Sequence, residues 1–167
     1  NLKRGKSSVV IGHDCRNNSR ELSLEVANIF SANNIKVFIF DSLKPTPLIS
    51  YAVRQLDCIC GIVLTASHNP PEYNGYKVYW EDGGQIVPPM DKEIIEKINM
   101  TNYSSIKFSP KNDLIKILDK NTEEKFKKLS IKTARIGNSD RSKLKVVFTA
   151  LHGLSLIHIS EPTRQLQ

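Results

Sequence analysis

"CICGIVLTASHNP", residues 58–70, is an apolar run that ends by delivering a serine and a histidine into a proline-containing loop. Its centre, Gly61-Ile62-Val63-Leu64, carries no charge and no alternation, as a strand buried on both faces of a parallel sheet does. Two similar runs precede it. "SSVVIGHD" holds a short buried strand over 8–12, and "IKVFIF" predicts a strand over 35–40 that is apolar apart from Lys36. Between them, "NNSRELSLEVANIFSANN" predicts a helix over 19–33. Asn18 or Ser19 can cap it, Glu21 falls in its first turn, and Leu22, Val26, Ile29 and Phe30 recur at helical spacing. Asn33-Asn34 is a stop signal, since Asn tolerates the left-handed conformation. In "KPTPLISYAVRQL", Thr46 is placed to cap a second helix with Pro47 at its first position. Strand, helix, strand, helix, strand with short links is the pattern of right-handed crossovers onto a parallel sheet. The expectation is an α/β fold, a three-layer sandwich with a mostly parallel mixed sheet and helices on both faces. Ligands bind such sheets outside the carboxyl ends of the strands. The loops "GHDCR" and "TASHNP" both lie there.

Downstream, "YKVYW" (76–80) and "QIV" (85–87) flank "EDGG" and predict a β-hairpin, with Asp82-Gly83 supplying positive φ angles. Pro88-Pro89 ends it, and "MDKEIIEKIN" (90–99) predicts an amphipathic helix. Residues 101–113 read as loop. "NTEEKFKKLS" (121–130) predicts a helix capped by Asn121 or Thr122, followed by a polar linker over 131–143. "LKVVFTALHG" then opens a new strand.

Composition narrows the function classes. The 167 residues are 40% hydrophobic and 25% charged, which suits one packed domain and argues against wholesale disorder. No apolar stretch approaches the ~20 residues that span a bilayer, and the N-terminus shows no apolar signal segment. The net charge of +7 and pI near 9.3 permit a phosphate-rich partner. The lysines are spread along the chain, however, and "EEKFKK" alternates sign as a solvated helix face does, so no nucleic-acid partner is expected. Cys15, Cys58 and Cys60 are the three cysteines. In a strand, the C-x-C pair would point to one face, and its spacing is not that of a zinc site. Buried free thiols in a reducing compartment follow, hence the cytoplasm.

The chemistry of "LTASHNPPEYNGYK" admits two readings. A serine in a Pro/Asn loop is more often a turn or cap residue than a nucleophile. Yet small residues flank Ser67, His68 is adjacent, and Lys77 follows a glycine turn that returns the chain toward the loop. A serine reacts only when a base takes its proton or charge stabilises its oxygen. The G-x-S-x-G elbow of serine hydrolases is absent, and cationic groups beside a serine oxygen suit phosphoryl chemistry better.

T-A-S-H-N-P followed by Y-N-G-Y-K resembles the active-site serine loop of the α-D-phosphohexomutases, the phosphoglucomutase and phosphomannomutase superfamily. "GHDCRNNS" resembles the family's G-x-D-x-R motif, "KPTPLISYA" its second-helix element, and "VVFTALHG" the strand that begins its second domain. The "NNS", "YNGYK" and "FTALHG" details resemble the phosphoglucomutase and phosphopentomutase branch most. The resemblance implies an intramolecular phosphotransferase acting on a phosphorylated sugar, with phosphomannomutase or phosphopentomutase as alternative activities. A non-catalytic sugar-phosphate-binding domain is the alternative of another class. Ser67 matches the phosphoserine, whose phosphate also gives Mg²⁺ one ligand. His68 and Lys77 match positions of proton transfer and charge stabilisation, without a division of the two roles. Arg16 matches an arginine of the substrate- and phosphate-binding site, as scaffold more than reactant. Mg²⁺ and a hexose 1,6-bisphosphate are the implied cofactor and intermediate.

The family's upstream G-T-[SA]-G-x-R-G segment, its D-G-D-x-D-R metal loop and its third- and fourth-domain loops have no counterpart here. Residues 1–143 are therefore expected to form domain I with a linker, and 144–153 the first strand of domain II. The chain alone is expected not to turn over. "LSLIHISEPTR" (154–164) matches a frame translation of a transposase sequencing adapter, so 154–167 is expected to be a non-native tail.

Overall fold

A computed structural model describes residues 8–70 and 72–134, with the isolated positions 145 and 147. The expected domain II strand over 144–153 and the tail over 154–167 lie outside the described residues, apart from those two positions.

The elements run β1 (Ser8–His13), α1 (Ser19–Ala32), β2 (Lys36–Phe40), α2 (Thr46–Gln55), β3 (Cys60–Leu64), β4 (Tyr76–Trp80), α3 (Met90–Met100), β5 (Ile115–Leu118) and α4 (Lys120–Thr133). The sheet order is β4-β3-β1-β2-β5. β3, β1, β2 and β5 are parallel neighbours, and β4 joins β3 antiparallel. Val9 is paired with Val37 on one side and Cys60 on the other. That register brings like residues to like faces, because strand side chains alternate. Val9, Ile11, Val37, Ile39, Ile62 and Leu64 pack together on the side of Ala27 from α1. Val10, Phe40, Val63 and Leu118 pack on the opposite side against Leu48, Ile49, Ala52 and Val53 from α2. The expected mostly parallel mixed sheet with helices on both faces is what forms. Gly12 lets α2 lie close: a Cβ there would stand 2.3 Å from Ile49 Cδ1.

Several local expectations are corrected. The strand β5 was not expected, because four residues of "IKIL" carry too little periodicity to stand out from the preceding loop. It forms by parallel pairing with β2, Val37 opposite Ile115 through Phe40 opposite Leu118. The hairpin is reduced to one strand and a single bridge, Tyr79 to Gln85. Of its turn residues only Gly83 has positive φ, at 80°, while the Asp82 carboxylate accepts from Gly84 N at 2.7 Å. The Asp82 side chain thus does locally what a second left-handed residue was expected to do. Cys58 and Cys60 do not share a face. Cys58 joins the cluster under α2 and Cys60 the one under α1, because the strand begins only at Cys60, after a bend at Ile59. Burial, and secondarily the neighbouring Cys58, pushes the Cys60 thiol up to about 12, so it stays protonated.

Helix ends differ by small amounts with identifiable causes. Asn18 stands at the start of α1 but with φ 62° and no side-chain cap bond. Pro45 precedes α2, leaving Thr46 inside it. The cap of α4 is Asp119, which accepts from Asn121 N at 3.0 Å, and the helix continues to Thr133 into the expected linker. Lys44 holds α4 in place through a 2.7 Å ion pair to Glu123. α3 buries none of its residues.

Candidate active site

The chain leaves β1 through α1 to reach β2, then returns over the other face through α2 to β3. The carboxyl ends of β1 and β3 are therefore a topological switch point, where open α/β sheets leave a crevice. The loop after β1 carries Asp14 and Arg16, and the loop after β3 carries Ser67. They meet: Asp14 N donates to Leu64 O at 3.1 Å.

Ser67 is half-buried and adopts φ 56°, the left-handed region that costs an L-residue with a Cβ about 1–2 kcal/mol. Its amide donates to Thr65 Oγ1 at 2.9 Å, so the buried threonine supports the turn from beneath. Its Oγ lies 3.5 Å from His68 Nδ1, within reach of a proton exchange after a small rotation. His68 itself is exposed.

Arg16 is buried, and its guanidinium is turned into the serine loop. One terminal nitrogen donates to Pro70 O at 2.7 Å and Tyr73 O at 3.1 Å. The other donates to Ser67 O at 2.6 Å and to Asn69 O. Asp14 balances the charge, with its Oδ2 3.6 Å from Arg16 Nε and its Oδ1 accepting from Arg16 N at 3.0 Å. A buried guanidinium is tolerated only when such partners replace its water. In this structure Arg16 thus faces the loop's backbone, an arrangement that suits the scaffold role the resemblance implied for it within the substrate- and phosphate-binding site.

Lys77 stands on β4 opposite Val63, half-buried. Among the described residues it makes no hydrogen bond to Ser67 or His68, so the structure does not bring it to the serine as directly as it brings Arg16. Gly75 joins the two segments. Its carbonyl accepts from Thr65 N at 3.0 Å, and a Cβ there would stand 2.7 Å from Thr65 O, so only glycine lets β4 approach. Burial, and then the Asp14 charge, pushes the thiol of Cys15 beside the site up, which disfavours its thiolate form.

Two supporting side chains, those of Ser19 and Asn74, escaped the sequence reading as members of the site. Ser19 Oγ donates to Asp14 Oδ1 at 2.9 Å, and Asn74 Nδ2 donates to Ser19 Oγ at 2.8 Å and to Asn17 O at 3.1 Å. Asn74 Oδ1 accepts from Gly75 N at 2.8 Å. The short span from Asp14 to Ser19 in "GHDCRNNS" hints at one polar unit, but nothing local links it to Asn74. No group of three or more His, Cys, Asp or Glu that could hold a metal exists among the described residues. The nearest carboxylate in the network, Asp14, is already engaged, so these residues by themselves do not build a Mg²⁺ site.

A family model described as phosphoglucomutase/phosphomannomutase, alpha/beta/alpha domain I, matches residues 1–105. A phosphoglucomutase of Staphylococcus saprophyticus is 39% identical over 166 residues, covering 96% of this chain and 30% of the relative. The Staphylococcus epidermidis phosphoglucomutase is 38% identical over 154 residues, covering 89% and 28%. A crystal structure from Thermus thermophilus, described as a phosphomannomutase, superposes with TM-score 0.64 at 32% identity, over 78% of this chain and 28% of its own. The chain thus spans about 30% of the curated relatives it matches. With the serine loop and its arginine at the switch point of the expected sheet, the chain belongs to the phosphoglucomutase/phosphomannomutase family, its residues 1–105 matching the alpha/beta/alpha domain I.

Proposed function

We propose that this domain serves an enzyme that moves a phosphoryl group between the 1- and 6-hydroxyls of a hexose, with Ser67 as the carrier. The observation that carries the reading is the placement of Ser67: a half-buried hydroxyl on a left-handed turn at the switch point, 3.5 Å from His68 Nδ1. In the first half-reaction a sugar hydroxyl attacks the phosphorus of phosphoserine 67. The P–Oγ bond breaks, the attacking hydroxyl's proton passes to a base, the departing Ser67 Oγ takes up a proton, and a hexose 1,6-bisphosphate results. After the sugar turns over, Ser67 Oγ attacks its other phosphate, its own proton leaves, and the departing sugar oxygen is reprotonated. His68 and Lys77 divide the proton transfer and the charge stabilisation. Phosphoryl transfer is governed by positioning and by neutralising charge, so a rigid serine loop is the contribution expected from this domain.

Relatives named phosphoglucomutase favour glucose phosphate as the substrate, and the neighbour described as a phosphomannomutase supports mannose phosphate as the second choice. Mg²⁺ would add electrostatic stabilisation of the transferring phosphoryl group, with a Ser67 phosphate oxygen as the one ligand this domain offers. No helix among the described residues is long and apolar enough to cross a membrane. The free thiols of Cys15, Cys58 and Cys60 favour a cytoplasmic setting. The test is intact-mass and peptide analysis of the protein, before and after exposure to glucose 1,6-bisphosphate. One phosphate on Ser67, lost in Ser67→Ala, is expected. A chain that never carries phosphate at Ser67, or full mutase activity in the Ser67→Ala whole enzyme, would overturn the reading.

A further inference from the structure

We propose that Arg16 and Asn74 are positioning residues: a two-point clamp that sets the conformation of the loop carrying Ser67, and so the direction in which its hydroxyl is presented. The inference rests on the mutase reading for its catalytic consequence, but its structural half stands alone. Arg16 grips the loop at one end through the carbonyls of Ser67, Asn69, Pro70 and Tyr73. Asn74 grips the other end, fixed to Gly75 N by its oxygen and to Ser19 Oγ and Asn17 O by its nitrogen.

The two grips share one anchor. Ser19 Oγ accepts from Asn74 and donates to Asp14 Oδ1, the same oxygen that accepts from Arg16 N. The links form a closed circuit: Asp14 to Arg16, Arg16 to the loop, the loop to Asn74, Asn74 to Ser19, and Ser19 back to Asp14. Each crossing joins residues 51 to 57 apart in sequence, so the circuit exists only in the folded domain. Ser67 needs such a restraint, because its left-handed φ is a conformation a non-glycine residue leaves when nothing holds it. Arg16 also suits this role better than binding a phosphate. Both terminal nitrogens already donate to carbonyls, and the Asp14 carboxylate offsets the charge an anion would seek. The hydroxyl of Ser67, in contrast, is half-open and takes no part in the circuit.

The experiment compares wild type with Arg16→Ala, Arg16→Lys and Asn74→Ala in two assays. Amide hydrogen exchange of the 167-residue chain should show residues 66–75 exchanging about tenfold faster or more, with the amides of 9–12 and 36–39 unchanged. In the complete mutase, kcat should fall about 10–100-fold with KM within about twofold, as misplacement of a reacting group does. Free guanidinium ion should restore part of the Arg16→Ala loss, and Arg16→Lys should retain little activity because one ammonium cannot reach four carbonyls. Unchanged loop exchange in the variants would overturn the clamp. So would a rise in KM at constant kcat, which would instead make Arg16 a substrate-phosphate ligand. If Arg16→Ala fails to fold, half-buried Asn74 decides the question through its own variant. A wild-type enzyme with no mutase activity would sink the functional reading and leave the exchange assay to judge the clamp.

Discussion

Replacing Gly12 with alanine should destabilise the domain, and trimming Ile49 should undo that damage. A Cβ at Gly12 would stand 2.3 Å from Ile49 Cδ1, 3.0 Å from Ile49 Cγ1 and 3.9 Å from Phe40 Cδ2. Carbon atoms rest about 3.5–4.0 Å apart, so the first contact is short by roughly 1.2–1.7 Å. Ile49 is fully buried between α2 and the sheet and has no open side to move into. Overpacking of this kind costs about 1–3 kcal/mol. The lost freedom of the unfolded chain returns about 0.4–1 kcal/mol, leaving Gly12→Ala about 1–2 kcal/mol less stable. Ile49→Val deletes the offending Cδ1 and alone costs about 0.5–1.5 kcal/mol for the missing methyl. In the double variant the new methyl occupies the vacated space, so the combined loss should be only about 0.5–1.5 kcal/mol. The cycle should thus show a favourable coupling of about 1–2 kcal/mol, above the few tenths expected of independent sites. Urea titrations followed by the fluorescence of Trp80, the single tryptophan, would measure it, because Trp80 packs against the core beneath α1. Constant m values would confirm that the denatured state is unaffected. Additive losses, or a Gly12→Ala variant as stable as wild type, would refute the close approach of α2 to β1.

Ser67→Gly should be about 1–2 kcal/mol more stable than Ser67→Ala in the same urea assay, since glycine releases the cost of φ 56° and alanine retains it; equal stabilities would deny the left-handed turn. The Lys44–Glu123 pair should make the domain acid-sensitive: hydrogen bonds from Lys44 and Lys127 hold the Glu123 carboxyl below its ordinary 4.5. A depressed folded-state value means stability present above about pH 4.5 and lost as pH falls through the lower folded value, so Glu123→Gln should cost about 0.5–1 kcal/mol at pH 7 and progressively less below pH 4.5. A gap between Glu123→Gln and wild type that stays constant with pH would show that Glu123 gains nothing from the pairing.

The sequence by itself determined the parallel core and the presence of a serine–histidine loop after its third strand. Uniformly apolar runs at Val9–Ile11, Val37–Phe40 and Gly61–Leu64, separated by helical periodicity, admit few arrangements, because a strand without a polar face must be covered on both sides. The closeness of Ser67 and His68 was legible for a local reason: they are neighbours in the chain, in a loop whose residue types suit phosphoryl chemistry. What is settled by pairing with distant segments was not legible. β5 depends on the free edge of β2 more than on its own four residues. The faces of Cys58 and Cys60 depend on where the strand begins, which backbone bonds to β1 decide, Ile59 N donating to Ser8 O at 2.9 Å. Arg16 shows the division most clearly. The D-x-R spacing marked it as a site residue, but a guanidinium binds carbonyls and phosphates with the same donors. Only the tertiary structure, by carrying the loop of residues 67–73 across the end of β1, decided which acceptors it meets.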